Sequence, residues 1–69
     1  MMEFLVITDM GTYDEDIAYC GLCEIEAYKS FKSLKGKHKR VNIVIAEVEK
    51  MLIKNIMFIN DYKIIKIVK

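Results

Sequence analysis

Val41-Asn42-Ile43-Val44-Ile45-Ala46-Glu47-Val48-Glu49-Lys50-Met51-Leu52-Ile53 is the stretch on which the fold turns. Its first five residues are rich in β-branched side chains and read as a strand over 41–45. Residues 46–52 are mostly strong helix formers and read as a short helix. A single helix over 41–53 is the alternative, because Val41, Val44, Ile45, Val48 and Leu52 also share a helical face. The first reading makes the chain an alternation of strands and helices; the second removes a strand from its centre.

The flanks favour the first reading. Upstream, Glu3-Phe4-Leu5-Val6-Ile7-Thr8 is a short β-branched and aromatic run, expected as a buried strand. Asp9-Met10-Gly11-Thr12 is turn chemistry, and the acids Asp14, Glu15 and Asp16 after it suit the approach to a helix N-terminus. Residues 20–35 then take a helical period. Cys20, Cys23, Ala27, Phe31 and Leu34 follow a 3–4 spacing, Ile25 and Tyr28 widen the stripe, and Gly36 supplies a stop. Downstream, Asn60-Asp61 separates two β-branched runs, which predicts a hairpin of strands 55–60 and 62–68. Together these predict one small α+β domain over residues 1–69, in the order β-α-β-α-β-β, with a central sheet from 3–8, 41–46, 55–60 and 62–68.

The chain has 69 residues, 54% of them apolar and 30% charged, which is globular rather than disordered composition. So short a chain buries only about 60% of its extended surface and needs an efficient core. No run of 18 apolar residues and no basic-then-apolar leader is present, so the sequence reads as cytoplasmic. Net charge is only +1, yet residues 1–26 hold seven acids and no base, while all eleven Lys and Arg follow. That polarity predicts self-association, head to tail or two-fold. A helix face and two solvated strand edges carrying lysine, with no partner at all, is the more ordinary account of it.

Cys20-Gly21-Leu22-Cys23 holds the only two cysteines. With Cys20 on the first turn of a helix, Cys23 is its i+3 neighbour, and the helix N-terminus favours a thiolate on Cys20. In a reducing cytosol this spacing points to redox chemistry or metal binding more often than to a structural staple. Zinc would require two further ligands; His38, in the basic turn Lys37-His38-Lys39-Arg40, and the cysteines of a second copy are the candidates. The alternative is two small half-buried hydrophobes that happen to fall close together.

The order of strand, CxxC opening a helix, strand, short helix and hairpin resembles a compact, truncated thioredoxin-like chain, nearest in size to the glutaredoxins. Phe4-Leu5-Val6-Ile7 resembles the first central strand, Tyr19-Cys20-Gly21-Leu22-Cys23 the redox motif, 41–45 the second parallel strand, and 53–65 the closing hairpin. The resemblance implies a thiol–disulfide oxidoreductase in which Cys20 attacks a substrate disulfide and Cys23 resolves the mixed disulfide. It also implies substrate-binding roles for Tyr19, ahead of the first cysteine, and for Met57, which stands where the family has a cis-proline. The family's last helix has no counterpart, so one sheet face would be uncovered and would recruit a partner or dimer mate. Asp14, Glu15, Asp16 and Glu24 would raise the Cys20 pKa against the helix dipole.

The rival reading is a non-enzymatic protein-interaction module, a small regulator or inhibitor of a larger enzyme of the kind viruses encode. No Ser-His-Asp set and no phosphate-binding glycine loop is present, and there is one histidine. Nucleic-acid binding ranks third, through Lys35, Lys37, Lys39 and Arg40, because the acidic first third of the chain would repel phosphate. No cofactor, no metal and no membrane is assigned; the expected partner is a protein or a disulfide substrate.

Overall fold

The computed structural model describes residues 2–69. It contains β1 (Met2–Thr8), β2 (Asp16–Gly21), α1 (Glu24–Lys35), β3 (Val41–Ile53) and β4 (Ile56–Ile67). The strands form one curled sheet in the order β2-β1-β3-β4, with every neighbouring pair antiparallel. This overturns the expected β-α-β-α-β-β arrangement and, with it, any parallel thioredoxin-like core.

Four local readings change for identifiable reasons. Residues 46–52 continue β3 instead of forming a helix. Ala46 and Val48 are buried while Glu47 and Glu49 are exposed, and that two-residue period outweighs the helix propensity of the individual residues. The hairpin turn is Lys54-Asn55, not Asn60-Asp61. Both turn residues take left-handed φ, 51° and 65°, as the common two-residue hairpin turn demands. Asn60 is the extra residue of a bulge: Glu49 pairs with Asp61 and Lys50 with Ile59. The segment 16–21 is a strand beside β1, not a helix approach, and α1 starts at Glu24 instead of Cys20.

The strand alternation of β1 builds two cores. Leu5 and Ile7 point to one face, where they pack with Val44, Ala46 and Val48, and with Ile17, Cys20, Ile59 and Tyr62 around them. Val6 points to the other face, under α1, with Val41, Ile43, Ala27 and Phe31. The expected helix stripe is in place, Ala27 and Phe31 buried, with acids in the first turn and lysines in the last. Among the described residues no helix lies over the Leu5 face. The curl of the sheet and the loop 9–15 close it instead. Gly11, at φ 86°, donates its N–H to Glu15 Oε1, and Tyr62 of β4 donates its hydroxyl to Glu15 Oε2 at 2.9 Å. Glu15, one of the acids assigned to a helix N-terminus, thus ties a loop to the far strand.

Candidate functional site

The two cysteines end on different elements and different faces. Cys20 lies in β2 opposite Leu5, so its side chain enters the Leu5 core. Cys23 is the exposed N-cap residue of α1, reached after the strand has ended, and both thiols are free. The first-turn placement that the exchange mechanism required is therefore replaced by a strand residue and a cap residue.

Cys20 donates its thiol hydrogen to Glu3 Oε1 at 3.2 Å. Glu3 sits in the interior of the sheet at 3% exposure, and Lys50 Nζ reaches it from β3 at 3.0 Å from Oε1 and 2.9 Å from Oε2. The Lys50 hydrogen bond holds the Glu3 carboxyl below its ordinary pKa; burial opposes this, and the Cys20 bond assists it. For Cys20 the balance reverses. Burial, then the hydrogen bond and charge of Glu3, push its thiol up to about 11. A thiol donating to a buried carboxylate holds very little thiolate at neutral pH. The acids that sequence suggested would raise this pKa, at 14–16 and 24, are not the ones that do so; Glu3 is, and only the pairing of β1 with β2 brings it there.

Tyr19 points to the opposite face from Cys20. Its hydroxyl accepts from the Cys23 N–H and donates to the Cys23 carbonyl, each at 3.3 Å, and so caps α1 where no side chain of the cap residue does. Gly21 makes room for that ring: a Cβ there would lie 2.6 Å from the Tyr19 hydroxyl oxygen. Met57 is exposed on β4 opposite Leu52, and lines a cleft of about 550 Å³ with Glu15, Asp16, Ile17, Phe58, Ile59 and Tyr62. Neither cysteine lines that cleft. Tyr19 therefore belongs to the helix cap and Met57 to a different surface.

Among the described residues no group of three or more His, Cys, Asp and Glu is placed to hold a metal ion. His38 pairs with Asp9 at 3.2 Å, in the turn that follows α1. No helix among them is long and apolar enough to cross a membrane.

The most unusual surface is the outer part of the β3–β4 hairpin. Nine of the thirteen exposed large apolar side chains among the described residues lie on these two strands: Met51, Leu52 and Ile53, then Ile56, Met57 and Phe58, and finally Ile64, Ile65 and Ile67. Leu52 and Met57 face each other across the ribbon, as do Met51 and Phe58, so both faces of its tip are apolar. Helix α1 packs on β1, β2 and β3 and leaves β4 uncovered. Sequence reasoning divided this surface between a short helix and a separate hairpin, so its continuity was lost. No family model, curated protein or solved structure matches the chain.

Proposed function

We propose that the chain is a non-enzymatic protein-interaction module that presents the outer β3–β4 ribbon to a protein partner. The observation that carries this reading is the concentration of exposed Leu52, Met57 and Phe58, at 63%, 59% and 49%, on a two-stranded arm that no helix covers. Apolar surface gathered in one place and left open is the mark of an interaction site. The chemistry at Cys20 supports the same reading, since its sulfur is committed to Glu3.

The test is photo-crosslinking in the cells that make the protein, with benzoylphenylalanine replacing Phe58 and, as a control, the fully exposed Tyr13. A discrete adduct from position 58, absent from position 13, is the expected result. It should persist when Cys20 and Cys23 are both serine, and weaken in a folded Leu52→Ser variant. No adduct at 58, or the same products from both positions, overturns the reading. Loss of the adduct in the double serine variant returns the function to the thiols.

A further inference from the structure

Resting on the interaction reading, we propose that the ribbon's partner is a second copy of this chain, the two β4 strands pairing antiparallel, edge to edge, about a two-fold axis at Tyr62. Among the described residues β4 pairs on one side only, with β3, so the outer backbone row along Ile56–Ile67 has no strand partner; at the axis the Tyr62 N–H donates to Asp61 Oδ1 at 2.8 Å, a local bond that strand pairing would exchange.

The sequence of β4 is matched to itself in this one register. With Tyr62 on the axis, Asp61 of each copy lies opposite Lys63 of the second copy, forming two opposite-charge pairs. Phe58 lies opposite Lys66, Ile59 opposite Ile65, and Met57 opposite Ile67. The faces agree as well. Pairing with β3 places Asp61, Lys63, Phe58 and Lys66 on the face of Glu47 and Glu49, and places Met57, Tyr62 and Ile67 on the face of Val44 and Val48. The bulges at Asn60 and Ile65 fall on either side of the axis and preserve this agreement across it.

The neighbouring registers fail. A slip of the pairing by one residue sets opposed residues on opposite faces. A slip by two sets Asp61 against Asp61 in one direction and Lys63 against Lys63 in the other. Lysines on an edge strand ordinarily keep a second strand away; here Asp61 admits one partner in one alignment. The end of the incoming strand also finds complementary charge. Lys66 and Ile67 of the second copy come to the mouth of the cleft that Met57 and Phe58 share with Glu15 and Asp16. The result is a sheet of eight strands running through both copies, with the apolar side chains of β4 drawn together.

Sedimentation of the full chain between about 10 and 200 µM at low salt tests this, with a dimer of twice 8.1 kDa expected. Asp61→Lys alone, and Lys63→Asp alone, should each weaken the dimer about tenfold or more, because two attractive pairs become two repulsive ones. Asp61→Lys with Lys63→Asp in one chain should restore it. Should Lys63→Asp fail to fold beside Glu47, Asp61→Lys remains a sound probe, since it gains an attractive neighbour in Glu49. As a second measurement, Asp61→Cys and Lys63→Cys chains, both carrying Cys23→Ser, should form a disulfide when mixed and little when oxidised separately. A wild-type chain that stays monomeric, single reversals without effect, or a double variant that is not restored overturns the proposal. If position 58 still crosslinks to a different protein, the self-pairing fails while the interaction reading stands; if it crosslinks to nothing, both fall.

Discussion

Lys50 closes an ion pair on Glu3 at 2.9 Å across forty-seven residues of sequence, joining the far part of β3 to the start of β1 inside the sheet. The pair gives acid sensitivity a definite sign. Because the folded protein holds Glu3 below its ordinary pKa, the stabilisation is complete above the unfolded carboxylate value of about 4.3 and is lost as pH falls through the folded value. Thermal melts from pH 7 down to pH 2 should show a steepening loss of Tm below about pH 4, and Glu3→Gln should flatten that limb. Lys50→Met, which leaves the buried carboxylate without its cation, should lower Tm at neutral pH more than the paired Glu3→Gln with Lys50→Met does. A Lys50→Met protein as stable as wild type would refute the assignment.

Thiol reactivity should split the cysteines. Cys23 is exposed, whereas Cys20 is held at about 11 by burial and Glu3. At pH 7 the Cys20 thiolate should be on the order of a hundredfold scarcer than for an ordinary cysteine. One equivalent of a disulfide reagent should react promptly and a second only slowly. Glu3→Gln should accelerate the second.

Alkaline stability follows from the same raised values. Folded Cys20, Lys50 and Tyr62 each keep the proton to higher pH than in the unfolded chain, so their contribution is intact below the unfolded pKa and is lost as pH rises through the folded one. Denaturant midpoints should therefore fall above about pH 9, and less steeply in Cys20→Ser.

Gly21→Ala probes the helix cap. The new methyl must displace the Tyr19 ring that bonds both polar groups of the Cys23 backbone. A loss of about 1 kcal/mol is expected, the ordinary worth of a cap, and Tyr19→Phe should cost a similar amount. If the two substitutions are combined, the losses should not add, since both remove one contact.

Core and ribbon should separate cleanly. Leu5→Ala, at a fully buried position, should cost about 2–5 kcal/mol and unfold most of so small a protein. Leu52→Ser, on the exposed arm, should change stability by about 0.5 kcal/mol or less while weakening association.

What could be read from the chain was whatever local composition and spacing alone decide. β1 and the first half of β3 were legible as continuous β-branched runs, and the stripe of Ala27, Phe31 and Leu34 by its helical spacing. The rest of β3 was not, since Ala46, Glu47, Glu49 and Lys50 favour helices and only the partner strand makes the alternation decisive. β2 was hidden because Asp16-Ile17-Ala18-Tyr19-Cys20-Gly21 is a short edge strand with little apolar signal, and the cysteines drew the reading toward a helix. Asn60-Asp61 resembled a turn because a bulge and a turn use the same polar residues; Lys54-Asn55 was the better candidate, asparagine tolerating left-handed φ. The Glu3–Cys20 contact could not be seen without the register that creates it.

The one-sided placement of α1 divides the molecule into parts that open on different terms. Amides of β1 and the first half of β3 are packed on both faces and should exchange with solvent only on global unfolding. Those of residues 51–58 hang on ladder bonds with exposed side chains around them, and should exchange through local fraying. The arm should therefore open and re-close without disturbing the body that carries it. An arm that bends freely gives up some affinity to ordering when it binds, and gains tolerance for the shape of its partner.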